Sequence, residues 1–206
     1  AGNIPVERIS NISISIARSI AEKVGRIWYP IAEYPTKHED TRLTPEDIFD
    51  YTYAVLYSPT YREKYKEFLK IDFPRLPLTS DKELFKVLAE KGAELVSLHL
   101  MESPTLNNLI TGYPVAGSNT VGKVSYDDNN QRVYINKTQY FEGVSSEIWD
   151  FHIGGYQVAQ KWLKDRKDRT LTYDELTHYQ KIMVALKETI RLMGKIDQII
   201  PSWLIE

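Results

Sequence analysis

Two stretches of this 206-residue chain carry side chains whose types and spacing suit chemistry on nucleic acid. Lys161, Lys164, Arg166, Lys167 and Arg169 set five cations against Asp165 and Asp168. Trp162 and Leu163 give that stretch an apolar anchor, so a helix here would turn its lysines toward solvent, where they can neutralise phosphates. The same cations can equally complement the negative end of a helix dipole and face only water. The second stretch is Asn136, Lys137 and Gln139, just beyond the strand-like run Arg132 to Ile135. Asparagine and glutamine pair with adenine, and lysine with guanine, at the edges of bases. A stiff strand would leave residues just past it little entropy to lose on binding. Asn136 and Gln139 have an alternative use, which is to satisfy backbone groups in a turn. Arg75 is a further candidate, because Pro74 and Pro77 hold its segment rigid and its guanidinium is a preorganised fork for phosphate or base.

Several other patterns fail on their context. GSNTVGK, from Gly117 to Lys123, has the spacing of a phosphate-binding loop. Val124 then stands where a magnesium-holding hydroxyl belongs, and a strand-like run follows where a helix N-terminus should meet the phosphate. Asp150, Asp165 and Lys167 have the spacing of a metal-dependent nuclease, but Asp165 falls in a lysine-flanked helical stretch and reads as a solvated face. The histidines, His38, His99, His152 and His178, show no metal-ligand spacing. His99 lies on an apolar helix face, while His152 stands beside Gly154-Gly155 and the basic stretch. Neither the short proline-rich motif that grips a flipped adenine nor a methyl-donor turn occurs, so this segment is expected to carry no catalytic residues, no metal and no cofactor of its own.

The elements that must position these candidates are mostly helices. A formal net charge of −2 rules out binding through bulk charge and requires a local basic face. Hydrophobic residues at 42% and charged residues at 26% predict a folded globular chain. The absence of cysteine removes disulfide frameworks and thiolate metal sites and fits a cytoplasmic home. No run of residues is long and apolar enough to span a membrane, and no export signal is visible, so the sequons at Asn11 and Asn136 carry no weight.

Ile9, Ile12, Ile16, Ile20, Val24 and Ile27 recur at helical spacing, predicting a first amphipathic helix. Thr44-Pro45-Glu46-Asp47 starts a second helix, and Ser58-Pro59 a third carrying Tyr61, Tyr65, Phe68 and Leu69. Asp72 to Pro77 must be an extended strap. Ser80 with Glu83 predicts a capping box opening a long helix to about Glu102. Val121–Tyr126 and Arg132–Asn136 around Asp127–Asn130 predict a β-hairpin. A short helix from Ser145, a break at Gly154-Gly155 and a helix from Val158 to Arg166 follow. A capping box of Thr172 and Glu175 then opens a last helix burying Leu176, Tyr179, Met183 and Leu186. The expected fold class is helix-rich α+β: amphipathic helices around a small hairpin or sheet, with a long C-terminal helix. A helix and connector over 1–42 would precede a domain over 43–206.

Three blocks carry a resemblance: TPEDIFDYTYAVLYSPTYREKYKEFLKIDFPRLP, RVYINKTQYFEGV and IWDFHIGGYQVAQKWLKDRKDRTLTYDELTHYQKIMVALKETI. Together, from about Leu43 to Ile196, they resemble the C-terminal target-recognition domain of type ISP restriction-modification enzymes and related adenine-specific DNA methyltransferases. The resemblance implies a domain that selects a sequence in double-stranded DNA. It also implies partners on the same polypeptide, namely methyltransferase and nuclease or translocase domains that use S-adenosylmethionine, ATP and magnesium and act at adenine N6. A non-DNA-binding scaffold that docks those domains is the competing expectation, and its mark would be an uncharged apolar patch.

Overall fold

The computed structural model describes residues 10–31, 38 and 40–205. Its first helix, α1 (Ile14–Lys23), buries Ala17, Ile20 and Ala21, followed by Val24 just past the C-terminus. Ile20 and Val24 of the expected isoleucine face are buried, but Ile16 is not. Ile14 and Ile16 are 59% and 58% exposed, because Ile16 lies one residue, about 100°, off the face centred on the two alanines. Ile9 lies outside the described residues. Ile27 belongs to a strand, β1 (Ile27–Trp28), which pairs in parallel with β2 (Arg42–Leu43).

Local capping chemistry sets the next boundaries. Thr44 Oγ1 accepts the Asp47 amide and the Asp47 carboxylate accepts the Thr44 amide, a reciprocal box that opens α2 (Pro45–Tyr57) with proline in its first turn. Ser58 accepts the Tyr61 amide and opens α3 (Pro59–Tyr65). After a 3-10 turn at Phe68–Lys70 the backbone leaves regular structure, as the prolines require. Two buried tyrosines pin this strap: the Tyr61 hydroxyl donates to the Arg75 carbonyl at 2.9 Å and the Tyr51 hydroxyl to the Pro77 carbonyl at 2.7 Å. The cap of α4 (Lys82–His99) falls one residue later than expected, on Asp81, whose Oδ1 accepts the amides of Glu83 and Leu84. A carboxylate there also meets the positive end of the helix dipole.

Two compact units result: residues 1–97 with 191–206, and residues 98–190. The core of the first includes Leu43, Tyr51, Val55, Tyr61, Phe85 and Leu88, with Tyr51 stacked on Phe85 at 4.6 Å between ring centroids.

In the second unit, the turn at Asp128–Gln131 joins β3 (Ser125–Asp127) to β4 (Arg132–Tyr134), as the turn-forming residues predict. A third strand, β5 (Tyr140–Glu142), pairs antiparallel with β4 and completes a meander of order β3-β4-β5. Next come α5 (Ser146–Trp149), the strands β6 (His152–Ile153) and β7 (Tyr156–Gln157), α6 (Val158–Lys164) and α7 (Tyr173–Ile199). The expected Thr172–Glu175 box opens α7, each partner accepting the other's amide. Val121, Val133, Phe141, Trp149, Leu163, Leu176, Tyr179 and Met183 are among the residues of one core under the meander and helices. The fold is helix-rich α+β, and no helix among the described residues is long and apolar enough to cross a membrane.

Candidate nucleic-acid interface

The GSNTVGK segment is where the second unit gathers its cations. Its middle is held as an extended strut on both sides. On one side the Val121 amide donates to the Arg169 carbonyl, the Asp168 amide to the Val121 carbonyl and the Leu171 amide to the Asn119 carbonyl, all within 2.8–2.9 Å. On the other, the Gly122 amide donates to the Ile135 carbonyl at 2.7 Å. The residues after α6 are therefore bonded directly to the strut, and Lys123 comes to lie with Lys164 and Lys167. Gly122, Lys123, Val124, Lys164 and Lys167 line an open pocket of about 470 Å³. From sequence Lys123 stands out only as the last residue of the GSNTVGK pattern, and nothing local joins it to the basic helix. Only the long-range pairing of the strut with the segment after α6 brings it to the basic helix.

The same geometry disposes of the phosphate-loop pattern. A Cβ at Gly117 would lie 2.7 Å from the Gln139 amide carbon, so the close approach that this glycine permits is to a glutamine side chain of the same unit and not to a phosphate. Gln139 is 1% exposed. Its Nε2 donates to the Val115 carbonyl and to Asn119 Oδ1, and its Oε1 accepts the Asn119 amide and Asn136 Nδ2. Asn136 Oδ1 accepts the amides of Thr138 and Gln139, and its Nδ2 also donates to the Thr120 carbonyl. Every polar group of Gln139 and Asn136 is engaged inside this loop. Of the two uses open to them from sequence, the structure shows the satisfaction of turn and strut groups, which leaves neither side chain a group to offer a base. Lys137, between them, is exposed.

The remaining candidates separate by their partners. Arg166 lies flat on Trp162, its guanidinium carbon 3.6 Å from the ring centroid, donates to the Trp162 carbonyl, and comes within 3.6 Å of Glu175. Arg169 donates to Glu175 Oε1 at 3.1 Å. The Thr172 amide, with help from Arg169 and Arg166, holds the Glu175 carboxyl below its ordinary range, so it stays charged and engages both arginines. Lys161 pairs with Asp165 at 2.8 Å. Lys164 donates to the neutral Gln160 at 2.6 Å. No ion pair among the described residues uses Lys123, Lys137, Lys164 or Lys167. Arg75 belongs to the first unit, where it is exposed on the strap with its guanidinium over Phe68.

Asp165, paired with Lys161, and Asp150, within 3.4 Å of the Gln157 amide, make no metal cluster, and the described residues hold no group of three acidic or histidine side chains placed for one. His99 donates to or accepts from Thr189 at 2.9 Å, and burial lowers its pKa. The expected break at Gly154-Gly155 proves to be the tip of a two-stranded ribbon. There His152 pairs with Gln157 and Ile153 with Tyr156.

A family model described as the type ISP C-terminal specificity domain matches residues 2–195, which takes in the N-terminal segment that the three sequence blocks did not reach. No curated protein matches significantly. Among solved structures, the DrdV–DNA complex aligns with a TM-score of 0.63 at 22% identity, over 94% of this chain and 21% of that one. The type ISP restriction-modification enzyme LlaBIII bound to DNA aligns with a TM-score of 0.59 at 17% identity, over 82% and 12%. A nuclease-deletion mutant of the type ISP enzyme LlaGI with a DNA substrate mimic aligns with a TM-score of 0.56 at 20% identity, over 76% and 14%. These likenesses show a shared fold, and the chain spans only 12–21% of the length of those proteins.

Proposed function

Because this chain belongs to the family of type ISP C-terminal specificity domains, we propose that it recognises a target sequence in double-stranded DNA and holds that site for other domains of a longer restriction-modification polypeptide. The observation that carries this reading is the pocket where Lys123, Lys164 and Lys167, from two separate segments, converge without a carboxylate partner among the described residues. Cations left unpaired on a chain of net charge −2 are suited to a polyanion. Lys161 and the exposed Lys137 are further phosphate contacts, and Arg166 and Arg169, held by Glu175 in this structure, can be released to phosphates at the cost of those pairs. Asn136 and Gln139 fix the loop that presents Lys137. Arg75, on the strap of the first unit, is a second phosphate or base contact.

The chemistry itself belongs elsewhere on the parent: methyl transfer from S-adenosylmethionine to adenine N6, and ATP- and magnesium-dependent translocation and cleavage. Within this chain the one nucleotide-like loop is filled by Gln139, which supports a non-catalytic role. DNA binding should therefore fall steeply with salt. Replacing Lys164 and Lys167 by alanine should weaken binding about equally for all duplexes and flatten the plot of log affinity against log salt by roughly one unit per lost contact. An unchanged slope, measured by fluorescence anisotropy from about 50 to 200 mM salt, would mean that this face is only solvated.

One observation favours a second role for the first unit. Ile71 and Phe73 are 84% and 87% exposed beside the rigid strap, an apolar presentation suited to docking the other domains of the parent.

A further inference from the structure

Beside the lysine pocket, the β6–β7 ribbon has no part in the core and stands free at its tip. Gly154 takes φ +59, the left-handed value required at the first central position of a two-residue II′ hairpin turn. A Cβ built on Gly154 or Gly155 meets nothing within 4 Å. The base of the ribbon, by contrast, is fixed. Gln157 Nε2 donates to the Trp149 carbonyl at 2.6 Å, and the Val158 amide donates to the Phe151 carbonyl. Trp149 is itself buried and stacked on Tyr126. A rigid base, a narrow tip without side chains and open space around it describe an element built to enter something.

Its side chains are unusual for an exposed ribbon. Register puts Ile153 and Tyr156 opposite each other on one face, and they are 39% and 63% exposed. His152 shares the other face with Gln157. His152 Nδ1 lies 2.6 Å from the Asp150 carbonyl. A carbonyl only accepts, so Nδ1 carries a proton there, and Nε2 is the ring nitrogen left to meet a partner. Next to the ribbon on α6, Lys161, paired with Asp165, and Lys164 join His152, Gly155 and Tyr156 around a pocket of about 340 Å³. Lys164 also lines the Lys123–Lys167 pocket, so the two meet at that side chain.

We infer that the β6–β7 ribbon enters the major groove of duplex DNA and determines part of the recognised sequence, with His152 Nε2 accepting from an exocyclic base amine and the Ile153–Tyr156 face meeting thymine methyl groups. The major groove admits a two-stranded ribbon, and it is there that adenine N6 and cytosine N4 present donors and thymine its methyl. The α6 lysines beside the ribbon match the charge of the phosphates that border the groove. This inference rests on the DNA-binding reading above and adds to it which element reads bases.

The test uses the full 206-residue chain and a pool of duplexes with a randomised central segment, selected by binding and sequenced, with affinities then measured on single duplexes. His152→Ala should melt as the wild type does, since the side chain is exposed. It should keep the wild-type salt slope but lose discrimination by roughly five- to 150-fold at one or two adjacent base pairs. Ile153→Ser with Tyr156→Ser should abolish the affinity difference between thymine- and uracil-containing duplexes at neighbouring positions. A variant that selects the same sequences as the wild type with undiminished discrimination overturns the ribbon as reader while leaving DNA binding intact. Uniform weakening on every duplex overturns it as well, since that is the mark of a phosphate contact. Failure of the wild-type chain to bind any duplex would sink both readings together.

Discussion

The two units deploy charge and apolar surface in opposite ways. In the first, exposed lysines are tied to neighbours one helical turn away, Lys66 to Glu63 and Lys70 to Glu67, and acidic groups are turned inward, as at His38, whose ring meets Asp47 at 2.6 Å and comes within 3.8 Å of Asp50. Two of its large apolar side chains, Ile71 and Phe73, are nonetheless turned out to solvent. In the second unit Glu175 holds Arg166 and Arg169 in place, and lysines from two segments are left open around a pocket. A net charge of −2 averages these two arrangements into an unremarkable number. What distinguishes a polyanion-binding face is which cations lack a partner, and that is a property of packing.

The largest expected effect asks whether the second unit has a core of its own. Tyr179 is fully buried against Trp162 and Phe141, and its hydroxyl donates to the Ala159 carbonyl. Tyr179→Ala should cost about 3 to 5 kcal/mol, read from urea unfolding followed by tryptophan fluorescence. DNA binding should disappear in step with that unfolding, before the first unit melts. A single transition for both units, with binding lost only at the end, would dissolve the distinction between them.

A smaller effect tests the buried acids of the first unit. Burial, with Asp47 and Glu46 nearby, raises the Asp50 pKa from 3.8 to about 7 despite the opposing influence of His38. The folded state therefore binds more protons than the unfolded state between those values, and stability must fall as pH rises through that window. Asp47 acts the other way, since its lowered pKa contributes stability that is lost only as pH falls below the ordinary carboxylate range. Asp50→Asn should remove the decline and stabilise the chain at pH 8 relative to pH 5 by about 1 to 3 kcal/mol compared with the wild type. Equal pH profiles for the two proteins would show that Asp50 is not held in the buried environment described.

The smallest effect is the sharpest contrast. Lys66→Ala and Lys70→Ala together remove as many positive charges as the Lys164, Lys167 pair, yet their partners are exposed and within the same helical segment, where such pairs contribute about 0 to 1 kcal/mol. DNA affinity should change less than about twofold and the salt slope should hold. A slope that flattens as much as it does for the second-unit lysines would spread the interface over both units.

Features legible in the sequence were those decided within a few residues. Thr44 with Pro45, Thr172 with Glu175 and the Asp127–Asn130 turn all fall where their side-chain chemistry puts them. Errors came where neighbours compete locally or where distant segments decide. Asp81 outcompetes Ser80 as a cap, and on α1 Ala17 and Ala21 share the buried face with Ile20 while Ile16 is turned out. Strand β5, only three residues long, shows no period of its own, and its pairing with β4 depends on the turn that Asn136 and Gln139 close. Lys123 is the clearest case, since no local pattern links it to residues more than forty positions away.

The Gly117–Gln139 fit has an evolutionary consequence. Where one side chain saturates the strut, the loop and its own turn, and a backbone position is kept bare to admit it, neither can drift alone. Positions 117, 119, 136 and 139 should change together across descendants or not at all, while 152, 153 and 156, which touch little of the protein, are free to vary singly. A lineage under pressure to switch its target could then exchange the tip and inherit the frame, so that new specificities arise by substitution at a few outward positions without passing through unfolded intermediates.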